Sequence, residues 1–241
     1  MRAKLYWFPI SHPAQAARLM LERKQIEYRP VNLLPGMHPM LVRIAGFRGT
    51  TVPALRLDGR RVQGSRAISR ALDEIEPDPP LFPRDEAGRR AVEEDEAWGE
   101  RELQPIPRRI FRWWLSSSSE ARAWFAEQVM HMPAPRLMAV VNAPVAHALA
   151  RKSGAYSDRV CADVAALPAK LDHVDELIAA GALGGEEPNA ADYQIGTSVG
   201  ALMAFEDLRP LIEARPAADL ARRLLPPFAG PVPSILPRNW L

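Results

Sequence analysis

The 241-residue chain lacks several things, and each lack removes a class of function. It has one cysteine, Cys161, so no internal disulfide, CxxC redox pair or cysteine-built zinc site can form. No run of about 18 uncharged apolar residues is present, which removes a membrane-spanning helix. Neither charge is in surplus: 31 Lys and Arg face 29 Asp and Glu, and a net charge of +2 gives no pull toward a polyanion. Lysine occurs only at Lys4, Lys24, Lys152 and Lys170, so arginine carries most of the positive charge. With many Ala and 24 Pro, this bias matches translation from a GC-rich bacterial genome. Met1 to Lys4 lead straight into a strand-like run, without the apolar stretch and cleavage site of a secretion signal. The expected compartment is the cytoplasm. What is present is an ordinary globular mixture, 47% hydrophobic and 25% charged, enough to build a core.

Residues 3 to 76 alternate strand and helix patterns. Ala3 to Phe8 reads as a buried strand. Pro13 to Lys24 reads as a helix, with Ala16, Leu19, Met20 and Arg23 on one face. Tyr28 to Leu33 is a second strand, and Pro39 to Ala45 a short helix. Asp58-Gly59 joins the arms Val52–Leu57 and Arg60–Gln63 as a hairpin. Ser65 opens a helix with Ile68, Ala71, Leu72 and Ile75 on one face. The order β-α-β-α-β-β-α predicts a four-stranded mixed sheet with helices on both faces, the thioredoxin-like arrangement.

Glu76 to Pro83 is a proline-rich break. No strand is expected after it. Asp85 to Leu115 reads as one long helix bent near Pro105 and Pro107. Val160 to Ile178 forms an amphipathic helix, Asn189 caps another running through Met203, and Leu220 to Leu225 is helical. The tail from Pro226 should pack onto the body through Phe228, Ile235, Leu236 and Trp240. The fold class is therefore α+β, with domains expected at 1–78 and 84–241.

This plan resembles that of the cytosolic glutathione S-transferases, and motifs in one order carry the resemblance. Ser11-His12-Pro13-Ala14-Gln15-Ala16 is similar to the Ser-x-Pro-x-x-Ala of serine-type (theta and phi) members. His38 stands fourteen positions before Val52, similar to the phi spacing. Val52-Pro53-Ala54-Leu55 and Ser65-Arg66-Ala67-Ile68 match two further family motifs, and Asn189-Ala190-Ala191-Asp192 lies where members carry a helix-capping motif. The resemblance implies a homodimeric enzyme that binds glutathione and adds its thiolate to a small hydrophobic electrophile. It implies no metal.

The roles also follow from chemistry. At a helix N-terminus unpaired amides and the macrodipole favour a thiolate. The Ser11 hydroxyl can donate to that thiolate or act as a plain helix cap. His12, beside it, is a second polar neighbour whose imidazole could titrate near neutral pH. Pro53 invites a cis bond. The resemblance implies that the backbone of Val52 then pairs with the thiol tripeptide. Ser65 and the amides beside it suit a carboxylate. His38 reads as plain surface or, as the resemblance implies, as a contact to the glycyl carboxylate.

One position departs from the family. The residue before the serine is usually Glu, Gln or Asp, which grips the ligand's ammonium group, and here it is Gly64. Gln63 is adjacent, but strand alternation turns it to the other face unless a bulge intervenes. This motivates two rivals: a transferase using another thiol, such as mycothiol, and a non-catalytic protein that keeps the fold for dimerisation or partner binding. A glutaredoxin-type disulfide-exchange enzyme is a third rival, which the sequence nearly eliminates because that chemistry needs a cysteine where Ser11 or Ala14 stands.

The electrophile is expected between the domains, against Arg101, Arg108, Phe111 and Trp114, whose mixed aromatic and cationic groups suit a flat or anionic molecule. The same residues could form a dimer interface. Nucleic acid is a poor partner, because Glu93, Glu94, Asp95, Glu96, Glu100 and Glu102 lie beside them.

Overall fold

The computed structural model describes residues 2–34, 36–226 and 232–241 of the chain. Four strands form one sheet: β1 (Ala3–Trp7), β2 (Tyr28–Asn32), β3 (Ala54–Leu57) and β4 (Arg60–Gln63), in the order β2-β1-β3-β4. β1 runs parallel to β2 and antiparallel to β3, which is antiparallel to β4. Leu5 lies opposite Pro30 on one side and Leu55 on the other. Pro30 is tolerated because β2 is an edge strand.

Alternation along the strands sorts side chains to two faces. Leu5, Leu55 and Leu57 pack with α1 (His12–Arg23) and α3 (Ser65–Ile75) through Met20, Leu21, Ile68 and Leu72. Tyr6 and Ala54 face the other way, toward Val42 of α2 (His38–Ile44) and Phe47. This is the predicted two-faced, thioredoxin-like sheet.

The remainder is helical, and no helix among the described residues is long and apolar enough to cross a membrane. The expected long helix is three pieces: α4 (Glu86–Trp98), a π-helical turn (Gly99–Leu103) and α5 (Pro105–Ser117). Pro105 and Pro107 have no amide to continue an α ladder. The wider turn resolves this, with the Gln104 amide reaching back to the Gly99 carbonyl at 2.8 Å. A side chain at Gly99 would meet Ile195 at 2.7 Å, so glycine lets α10 (Ala190–Met203) approach here.

Between 118 and 156, where the sequence shows no pattern, lie α6 (Ser119–Trp124), a second π turn (Phe125–Val129), α7 (Pro135–Val141) and α8 (Ala143–Ser153). Ser118 caps α6 by accepting from the Ala121 amide. α9 (Ser157–Ala179) and α10 agree with the periodicity, and α10 is buried on nearly every side. Asn189 and Asp192 form a reciprocal capping box at its start. Two more helices follow, α11 (Arg209–Ile212) and α12 (Pro216–Leu224), the latter beginning earlier than the expected Leu220.

The tail packs down as expected at its described residues: Ile235 and Leu236 donate their amides to Asp207, and Trp240 meets Trp113 at 5.1 Å. Phe228 lies outside the described residues.

Candidate functional site

Ser11 precedes α1 with extended backbone (φ −84°, ψ 101°). Its carbonyl accepts from the Ala14 and Gln15 amides, both at 2.9 Å. Its hydroxyl makes no capping bond. A serine at this place ordinarily spends its hydroxyl on a first-turn amide. Here it is uncommitted at the positive end of the helix.

His12 is buried, with Nε2 3.1 Å from the Gln104 carbonyl. A carbonyl only accepts, so Nε2 carries the proton and donates. Burial, and then the Arg108 and Arg112 charges, lower its pKa to about 3 against the weaker opposing effect of that hydrogen bond. It does not titrate near neutrality, and it remains a neutral imidazole there. His38 is the first residue of α2 and stands edge-on to Phe8 at 5.3 Å. Burial, then Arg112 and Lys152, lower its pKa to about 4. Its Nδ1 has no hydrogen-bond partner among the described residues.

Ser65, opening α3, donates its hydroxyl to Gln194 Oε1 at 2.7 Å. Gln194 Nε2 donates to the Gln104 side-chain oxygen, and the Gln104 backbone carbonyl accepts from His12 Nε2. A buried polar chain therefore joins the starts of α1, α3 and α5 through α10. It also spends the Ser65 proton. The first-turn amides of α3, which has no side-chain cap, remain as the donors of that helix end.

The Val52–Pro53 bond is cis, and the Pro53 carbonyl accepts from the Gly64 amide at 2.9 Å. Gln63 is committed nearby: its Oε1 accepts from the Gly49 amide at 2.8 Å and its Nε2 donates to the Thr51 carbonyl at 2.7 Å. It braces the loop that leads into Val52. Gly64 has φ 92° and ψ 144°, backbone that L side chains rarely adopt, and a Cβ there would meet open space. Conformation, not crowding, favours glycine at this position.

Arg108 and Arg112 lie near His12, and Arg112 also near His38. Arg101 stands apart, exposed and paired with Glu102 at 3.1 Å. Phe111 packs edge-on against Phe125 at 5.6 Å, while Trp114 is buried against Trp124 at 5.2 Å. Trp114 lines a concavity of about 480 Å³ between α5, α6 and the tail, away from Ser11. A second, of about 690 Å³, lies beside β2 and the β3–β4 turn, also away from it.

The glutathione S-transferase N-terminal domain family matches residues 5–80, the segment that carries Ser11, Pro53 and Ser65. Residues 5–80 are therefore identified as a glutathione S-transferase N-terminal domain. Solved glutathione S-transferase structures share the fold over nearly the whole chain. A glutathione S-transferase from Rhodospirillum rubrum F11 is 20% identical, with a TM-score of 0.59 and coverage of 99% of this chain and 97% of that one. One from Methylobacterium radiotolerans, in complex with glutathione sulfonate, is 21% identical, with a TM-score of 0.54 and coverage of 98% and 97%. A maleylacetoacetate isomerase from Anaeromyxobacter dehalogenans, with bound dicarboxyethyl glutathione, is 21% identical, with a TM-score of 0.53 and coverage of 95% and 91%. No curated protein sequence matches the chain. Sequence reasoning passed over Gln104 and Gln194. The signal was present in α10, where Gln194, Thr197 and Ser198 interrupt an otherwise apolar helix.

Proposed function

We propose that the protein is a glutathione S-transferase-like enzyme, acting in the cytoplasm as a homodimer, that activates a low-molecular-weight thiol for attack on a small hydrophobic electrophile. Residues 1–78 serve as the thiol-binding domain and 84–241 as the helical domain. The observation that carries the reading is Ser11: its hydroxyl is free of the capping bond and stands at the start of α1. It donates to the thiolate. The thiol proton goes to water, because His12 and His38, with pKa values of about 3 and 4, are weak bases. The sulfur electron pair forms the new S–C bond. The electrophile then releases a leaving group with its bonding pair, or takes the displaced pair onto a neighbouring atom and a proton from water. Positioning and electrostatics supply the rate.

Val52 and Pro53 present backbone to the thiol's peptide, as a strand added to the sheet would use it. The amides at Ser65 receive its carboxylate. His38 serves a second carboxylate, His12 holds α1 against α5, and Gln63 positions the 49–51 loop. Gly64 favours a second reading, a thiol other than glutathione, since nothing at this position grips an ammonium group. Calorimetric titration with glutathione, followed by conjugation assays of Ser11→Ala, tests both. Saturable binding and a large loss of turnover in the variant support the first reading. Binding of mycothiol but not glutathione supports the second. Reproducible indifference to both thiols leaves a non-catalytic protein.

A further inference from the structure

Most arginines packed into this molecule have partners. Arg109 makes a two-pronged pair with Asp163, Arg70 and Arg66 meet Glu96, and Arg215 bridges Asp172 and Asp175. Arg122 donates to the Ala139 and Leu115 carbonyls. Arg108 and Arg112 do not follow the pattern. Both are half-buried, and neither forms an ion pair or hydrogen bond among the described residues. The acid that bears on Arg108 is Glu100, which is itself paired with Arg66 at 3.2 Å. Burial, and then Arg108, lower the Arg112 pKa to about 10, so it is still charged at neutral pH.

Their placement is set by α5. Positions 104, 108 and 112 recur four apart and share one helix face. The backbone carbonyl of Gln104 accepts from His12, the neighbour of Ser11, at 3.1 Å, which brings the start of α5 against α1, and the Arg108 and Arg112 charges both bear on His12. Arg108 is then one turn along that face, about 6 Å, and Arg112 a second turn on. Phe111 borders the same face. Lys152 of α8 adds a third cation, reaching Thr50 at 3.2 Å in the loop before Val52. Trp240, among the described residues of the tail, packs on Trp113, about 100° around the helix from Arg112. Two like charges four residues apart repel, and partial burial removes the water that would screen them. An anion seated between them relieves both costs.

The geometry points to Arg108 and Arg112 as a carboxylate-binding site for the electrophile, so that the enzyme prefers small apolar molecules carrying an acid group. This rests on the thiol-transfer reading for the identity of the ligand, but the site itself can be probed without a thiol.

Two pairs of probes test it. The first is 4-nitrobenzoate against 4-nitrobenzamide on the protein alone, followed by tryptophan quenching. The second is S-(4-carboxybenzyl)glutathione against S-benzylglutathione, followed by calorimetry. The expected result is at least tenfold tighter binding of the acid in both pairs. The preference falls toward one in Arg108→Gln and Arg112→Gln and is partly kept in Arg112→Lys. No preference in the wild-type protein for either acid overturns the proposal. If S-benzylglutathione loses as much affinity as its carboxylated analogue in the variants, the arginines hold the thiol's own carboxylate, and the assignment to the electrophile is overturned. If no glutathione conjugate binds but nitrobenzoate does, with loss in both glutamine variants, the site stands and the thiol reading fails.

Discussion

His12 and His38 are buried as neutral imidazoles beside Arg108, Arg112 and Lys152, and this makes the fold sensitive to mild acid. In the unfolded chain each takes a proton near pH 6.5, whereas in the folded protein each does so only near 3 and 4. Between those values the unfolded state binds more protons, so stability falls as pH is lowered, by about 1.4 kcal/mol per pH unit for each group. At pH 5.0 neither folded-state imidazole is substantially protonated. Each then costs about 2 kcal/mol relative to pH 7.5, and the two together about 4 kcal/mol. That is a large part of the roughly 5–15 kcal/mol that holds a typical domain folded. The carboxyls of Asp95 and Asp192, held above their usual range chiefly by burial, act in the opposite sense. They are common to every variant and cancel in the comparison. Urea unfolding at pH 7.5 and 5.0 should show a loss in the wild-type protein that shrinks by about 2 kcal/mol in His12→Gln and again in the double variant with His38→Gln. If His12→Gln keeps the full wild-type loss, His12 is not a buried neutral donor and its bond to Gln104 is wrong.

Three further outcomes follow from the site. Gly64→Gln meets no steric obstacle, so it should fold with a loss of about 1–3 kcal/mol from backbone strain and, if only the ammonium grip is missing, bind glutathione more tightly by calorimetry. Gln194→Leu leaves the buried Ser65 hydroxyl and the Gln104 amide without partners and should cost about 2–5 kcal/mol in chemical denaturation. Gln63→Ala removes two hydrogen bonds to the 49–51 loop; faster hydrogen exchange at the Gly49 amide should report it, while exchange in α10 stays unchanged.

The N-terminal domain was legible because residues 3 to 75 alternate periods of two and 3.6, with an Asp-Gly turn to set the hairpin. Residues 118 to 156 were not, since α7 and α8 are short, begin with prolines and leave Leu137, Val140 and Val141 exposed, so no apolar stripe marks them. At the candidate site, the helix starts at Ser11 and Ser65 and the cis bond at Pro53 could be read from local motifs. The partners of Ser65 and His12 could not, because Gln194 and Gln104 lie about a hundred residues away in sequence. Alternation in β4 spoke against Gln63 as a ligand group, and its hydrogen bonds to Gly49 and Thr51 depend on where residues 49–51 fold back. For Gly64 the sequence revealed the absence of an acid, and only the backbone angle supplies a reason for glycine.

The π turn at Gly99–Leu103 acts as a phase setter for the helix that follows. A turn closed by a bond five residues back holds one more residue than an α turn. Each residue rotates the helix by about 100°. Without the extra residue, every side chain of α5 would advance one place around the axis. The positions now held by Arg108 and Arg112 would then be filled by Arg109 and Trp113, and the pair with Asp163 and the stack with Trp240 would both be lost. One added residue at a glycine, far from any motif, therefore decides which two side chains of α5 set their charge beside His12.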